Sequence, residues 1–116
     1  MFANILSYDD RRFATLEAVE CGRLHTYTKS WESASIDFLK SGGFQISKLV
    51  PLITQDSLIL WGRNDRILEP STAYSLNKEI KQNELVWIED CGHVPHLEQP
   101  ELTANYIVNF INKQNK

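Results

Sequence analysis

The sequence predicts an α/β fold built around a pair of parallel strands, and three observations point to it. Leu58-Ile59-Leu60-Trp61 is a continuous apolar run that stops at Gly62, with Asp65 shortly after. Leu85-Val86-Trp87-Ile88 is a second such run, closed by Cys91-Gly92 with His93 next in line. Stretches of helical period lie between and after them. Strand, loop, helix, strand, loop, helix is the order that a crossover connection between parallel strands produces. An uninterrupted apolar run also marks a strand covered on both faces.

Taken in order, residues 7–20 show a helical pattern. Asp9 or Asp10 can cap its start, Phe13, Leu16 and Val19 recur at intervals of three, and Gly22 closes it. Residues 23–29 lack a period and read as a connection. Ser30 is the expected N-cap of a second helix, whose Trp31, Ala34, Phe38 and Leu39 share a face as core contacts, and Gly42-Gly43 ends it. Ile46, Leu49, Val50 and Ile53 suggest a short third helix, bent or ended by Pro51. The character of the chain changes near residue 54, where the first strand begins. Residues 71–81 are helical again, with Ala73, Leu76 and Ile80 on one side. Pro100 suits the first turn of a last helix, because the N–H it lacks has no partner there. Leu102, Ile107, Phe110 and Ile111 are that helix's expected buried face.

Composition narrows the function classes. A chain of 116 residues accommodates one domain. Its 42% hydrophobic and 23% charged residues match an ordinary soluble globular protein. A net charge of −3 provides no basic footprint for nucleic acid. No apolar run approaches the roughly 18 residues of a membrane span, and the start of the chain lacks the basic flank and long apolar core of a secretory signal. Cys21 and Cys91 stand far apart without CxxC spacing, as expected for free thiols in a reducing compartment. A cytoplasmic location is the expectation.

Asp65 and His93 are the candidate site residues. Each follows the C-terminal end of a strand, where the loops of an open α/β sheet form its crevice. Their separation is about one βαβ repeat, which brings both to the same edge of the sheet. An aspartate and a histidine so placed can form a hydrogen-bonded pair, two thirds of a nucleophilic triad. His96 and Glu98 are expected to brace the histidine loop, and a metal site at His93, His96 and Glu98 is the less favoured alternative. His25 is expected at or near the surface. Ser75-Leu76-Asn77-Lys78 spells S-x-x-K, but S-D-N and K-T-G companions are absent, so chance explains it.

These residues resemble the C-terminal portion of the α/β-hydrolase fold. Leu-Ile-Leu-Trp-Gly-Arg-Asn-Asp-Arg-Ile-Leu-Glu-Pro at 58–70 is similar to the strand and loop carrying the family's catalytic acid. Ile-Glu-Asp-Cys-Gly-His-Val-Pro-His-Leu-Glu-Gln-Pro-Glu at 88–101 is similar to its histidine segment. The resemblance implies that Asp65 is the acid and His93 the base. It implies a cap-like helical segment over residues 1–53 and an incomplete hydrolase core over 54–116. It further implies hydrolysis of an ester or related bond in a small apolar substrate, with no metal or organic cofactor.

The family's nucleophile sits on a G-x-S-x-G elbow. None of Gly22, Gly42, Gly43, Gly62 and Gly92 is followed two residues later by Ser, Asp or Cys. Loss of the serine alone costs on the order of 10⁶ in kcat in such an enzyme, so the isolated chain is expected to be inactive and truncated relative to the family pattern. Its expected partner is an N-terminal half, or a second copy covering the open edge of the first strand. The alternative is a non-catalytic remnant or a binding and dimerisation module.

Overall fold

A computed structural model of the chain describes residues 2–43 and 46–115, with the side chains of 2–4 left aside. Its centre is a two-stranded parallel sheet of β1 (Ser57–Gly62) and β2 (Asn83–Ile88), in a register that pairs Ile59 with Leu85 and Gly62 with Ile88. Helix α4 (Pro70–Glu79) makes the crossover between them. Pro70 occupies its first turn, and Asn83 closes its far end by donating from Nδ2 to the carbonyls of Asn77 and Ile80. Side chains alternate across a sheet, so Ile59, Trp61, Leu85 and Trp87 share one face. Ile59, Ile80 and Val50 form the buried cluster there, with Ile53, Trp61, Leu76 and Leu85 packed around it. Tyr74 of α4 lies over Trp87, ring centroids 5.3 Å apart.

The opposite face carries α6 (Pro100–Gln114), which a single-turn helix, α5 (Pro95–Glu98), delivers from the end of β2. Buried Thr103 and half-buried Tyr106 and Phe110 mark the stripe of α6 turned inward, and Lys113 pairs with Glu84 of β2. Leu102, Ile107, Val108 and Ile111 remain exposed. The expected buried face of this helix is therefore corrected: only Phe110 of its four members turns inward. Helix α6 carries apolar residues on two neighbouring stripes, and spacing alone does not say which one meets the sheet.

The first third of the chain departs further from expectation. The single helix expected over 7–20 is divided into α1 (Phe2–Ser7), a 3₁₀ turn at Arg11–Phe13 and α2 (Leu16–Gly22). Two side chains cause the division. Asp10 accepts from the Arg12 N–H and caps the 3₁₀ turn, and Thr15 accepts from the Ala18 N–H and opens α2. Helix α2 does end at Gly22, and the connection after it winds into a 3₁₀ turn at Leu24–Tyr27. Helix α3 (Trp31–Lys40) begins after Ser30 and ends at Gly42-Gly43, both with φ of +81°. It buries no residue, so Trp31 and Phe38 are not core contacts as expected; His25 stacks loosely against Trp31 on the surface.

The expected third helix is a turn followed by a 3₁₀ turn at Val50–Leu52. Leu49, Leu52 and Ile53 all bond to the carbonyl three residues back, and Pro51 has no N–H with which to continue an α-helical ladder. Strand β1 is also less covered than its apolar run suggests. Ile59 is buried, but Leu58, Leu60 and Trp61 are only half-buried, because β1 has a single neighbouring strand among the described residues. Among those residues, no helix is long and apolar enough to cross a membrane.

Candidate active site

Both candidate side chains leave the sheet at the same end. The first loop follows Gly62, whose own position admits no larger residue: a Cβ there would lie 1.9 Å from the Gly92 carbonyl oxygen. Arg63 N–H bonds back to the carbonyl of Ile88, and Asn64 N–H to that of Cys91, so the acid loop is stitched onto the end of β2. Asp65 then turns inward. Its Oδ1 accepts from the Ile67 and Leu68 N–H groups at 2.8 and 3.0 Å, an Asx-type turn that fixes the carboxylate plane.

The second loop begins with a left-handed residue, Asp90, at φ of +50°. Gln99 donates to the carbonyls of Glu89 and Asp90 and holds that turn in place. Fully buried Cys91 and Gly92 follow, and then His93. The buried Glu98 carboxylate, 7% exposed, accepts from the Gly92 N–H at 2.7 Å. Glu98 thus braces the loop as expected; His96 stays on the surface. Pro95 at the first helical position was the one sequence signal for α5, which places Glu98 beneath the loop.

The two loops bring Asp65 Oδ2 to 2.8 Å from His93 Nδ1. The Asp65 side chain is only 4% exposed and that of His93 35%, so the acid is enclosed and the imidazole reaches outward. Burial pushes the Asp65 carboxyl up. The hydrogen bond with His93, the N–H groups of Leu68 and Ile67, and the charge of His93 together outweigh that and hold it below the usual carboxylate range. Cys91 is pushed up to about 12, first by burial and then by the nearby Glu98 carboxylate, so its thiol stays protonated and is no nucleophile at neutral pH.

A small cavity of about 120 Å³ opens beside the pair, among Leu60, Trp61, Leu68 and Pro95. It is below the roughly 300 Å³ at which small-molecule sites begin. A larger cavity of about 470 Å³ lies between β2 and α6, but Glu84 and Lys113 in its wall pair with each other and no reactive constellation faces it. Among the described residues, no group of three or more His, Cys, Asp or Glu side chains is arranged to hold a metal ion.

What this arrangement can do is set by the ring nitrogens. With Nδ1 turned to a carboxylate, the imidazole is held as the tautomer whose Nε2 can accept a proton.

A family model described as alpha/beta hydrolase fold matches residues 7–100. Among curated proteins, the alpha/beta hydrolase domain-containing protein VTE7 of Arabidopsis thaliana is 29% identical over 111 residues, which is 95% of this chain and 34% of the relative. Monoacylglycerol lipase ABHD6 of Mus musculus is 40% identical over 53 residues, 46% of this chain and 16% of the lipase. Among solved structures, a membrane phospholipase A described as a bacterial virulence factor superposes with a TM-score of 0.70 at 23% identity, over 97% of this chain and 36% of that one. The chain therefore spans about a third of the length of the plant relative and of that structure, and less of the lipase.

Proposed function

Because the chain belongs to the alpha/beta hydrolase fold family, we propose that it supplies the acid and the histidine of a hydrolase whose nucleophile lies outside these 116 residues. The observation that carries this reading is the 2.8 Å contact between Asp65 and His93 at one end of a parallel sheet. In the complete enzyme with a serine nucleophile, His93 Nε2 takes the proton of the hydroxyl as it attacks the substrate. Asp65 keeps Nδ1–H in place and stabilises the imidazolium that forms. The same Nε2–H then protonates the leaving group, and water, activated in turn by His93, releases the second product.

The substrate class is an ester or a related bond in a small apolar molecule, in keeping with the lipases among the relatives. A serine nucleophile gives acyl transfer to water, and an aspartate gives dehalogenase or epoxide-hydrolase chemistry. Residues 1–53 act as the helical cap over that site, and 54–116 as the last part of the hydrolase core. Their location is cytoplasmic. The N-terminal half of the fold is the partner that adds the elbow and covers the outer edge of β1.

A second reading, a non-catalytic binding or dimerisation module, is favoured by one observation: Ile107, Val108 and Ile111 leave an apolar stripe of α6 exposed. A fluorophosphonate probe and a hydrolysis screen separate the two. The hydrolase reading predicts covalent labelling of a complex containing this chain, or turnover of a haloalkane or epoxide if the nucleophile is aspartate. Either signal should vanish in His93→Ala. Neither signal in any such complex would leave the binding module.

A further inference from the structure

Residues 7–10 cross both site loops at once. The Ser7 carbonyl accepts the His93 N–H at 2.7 Å. The Asp9 and Asp10 N–H groups donate to Glu98 Oε2 at 2.8 and 3.1 Å, while the other oxygen of the same carboxylate holds Gly92. The Asp9 side chain reaches the other way. Its Oδ2 accepts from Asn64 Nδ2 at 2.8 Å, and its Oδ1 pairs with Arg66 at 3.3 Å. Asn64 and Arg66 flank Asp65 in the chain. Tyr8, between these contacts, is buried. Gly92 lets the segment approach: a Cβ there would lie 2.6 Å from the Ser7 oxygen and 2.7 Å from the Asp9 nitrogen.

We infer that Asp9 and Glu98 are positioning residues, which use the backbone of residues 7–10 as a strap to couple the acid loop to the histidine loop. The inference rests on the reading of Asp65 and His93 as the catalytic pair. Its physical basis is that the Asn64 N–H bond to the Cys91 carbonyl joins the loops two residues short of His93 and does not by itself fix the alignment of Asp65 with His93. A hydrogen bond between Asp65 and His93 needs both loops fixed to a fraction of an ångström, and the strap is fastened to each of them. Glu98 suits this task because a buried carboxylate accepts from several N–H groups and donates to none. Its three backbone bonds are charge-assisted and stronger than neutral ones. Asp9 then transmits the position, its backbone on the histidine side and its carboxylate on the acid side.

NMR of the full chain, with ¹⁵N in the imidazole of His93, tests this without any need for turnover. Wild type should show the Nδ1–H shared with Asp65 as a slowly exchanging downfield resonance. Asp9→Ala removes a partly exposed side chain whose polar partners are Asn64 and Arg66, not His93 or Asp65. Coupling predicts that it nonetheless speeds amide exchange at Gly92 and His93 about tenfold and broadens the Nδ1–H signal, while β1 and β2 keep their protection. Glu98→Gln, of the same shape, sets an NH₂ against backbone N–H groups and should speed the Asn64 amide as well.

An unchanged His93 resonance in Asp9→Ala overturns the inference. So does an equal loss of protection throughout β1 and β2 in that variant, which is general destabilisation. A folded Glu98→Gln with wild-type exchange at Asn64 overturns it too; if Glu98→Gln does not fold, Asp9→Ala alone decides. Failure of the hydrolase reading looks different: no complex containing the chain turns over substrate, while His93 still responds to Asp9.

Discussion

Asp65 carries opposing physical demands, and its pH behaviour follows from how they balance. A carboxyl held below its unfolded value of 3.8 binds fewer protons folded than unfolded. Its contribution to stability is therefore fully present above that value and lost as pH falls through the lower folded value. Asp65→Asn removes this term. The wild-type urea midpoint should fall more steeply than that of Asp65→Asn between about pH 5 and about pH 3; parallel curves would contradict the balance described here. The two cysteines separate just as sharply. Cys91 is fully buried with its thiol pushed up to about 12, whereas Cys21 is exposed. At about pH 8 a disulfide reagent such as DTNB should modify one thiol of the native chain quickly, and both only after unfolding. At this scale the sequence was most legible. Asp65 and His93 each follow a run of apolar residues and a glycine, and that local pattern is enough to place them. Asp9 was invisible as a partner of Asn64 and Arg66, since a contact over more than fifty residues leaves no periodic trace.

Among the elements, β1, β2 and α4 follow their local patterns, because apolar period and the first-turn proline agree with the tertiary environment. Helix α3 follows its own in extent alone, between Ser30 and Gly42-Gly43, and buries no residue. Gly62 shows how tightly the strand ends are joined: the ideal Cβ lies 1.9 Å from one carbonyl oxygen and 2.6 Å from another. Backbone cannot move aside as a side chain can. Gly62→Ala should cost about 3 kcal/mol, the upper end of overpacking penalties, measured as a drop in urea midpoint; a loss under about 0.5 kcal/mol would contradict the close approach of the two loops. The segments that sequence misjudged share a cause. Residues 7–20 have helical spacing, but Asp9 and Asp10 direct their N–H groups to Glu98, which lies far ahead in the chain. Residues 46–53 have it too, but Pro51 supplies no donor. On α6 the missing information is which of two apolar stripes turns inward, and that is settled by the burial of Thr103 and half-burial of Tyr106 and Phe110 while Ile107, Val108 and Ile111 face out.

At the scale of the molecule, the surface is larger than a compact domain needs. The chain exposes 8925 Å², whereas a monomer of 13.4 kDa exposes about 6,500 Å² by the usual scaling. Its radius of gyration is 16.3 Å, against about 13.4 Å for a compact chain of that length. The excess of roughly 2,400 Å² is the extent that obligate partners bury, and it includes the open edge of β1 and the outer stripe of α6. The proposed N-terminal half would cover such a surface and place a nucleophile opposite His93. The most direct measurement is hydrolysis of p-nitrophenyl butyrate, with a haloalkane and an epoxide alongside, by this chain joined to the proposed elbow-bearing N-terminal half. The account predicts turnover of one of the three that Asp65→Asn lowers on the order of 10⁴-fold and His93→Ala abolishes. Turnover that is the same with and without the His93 imidazole would contradict it.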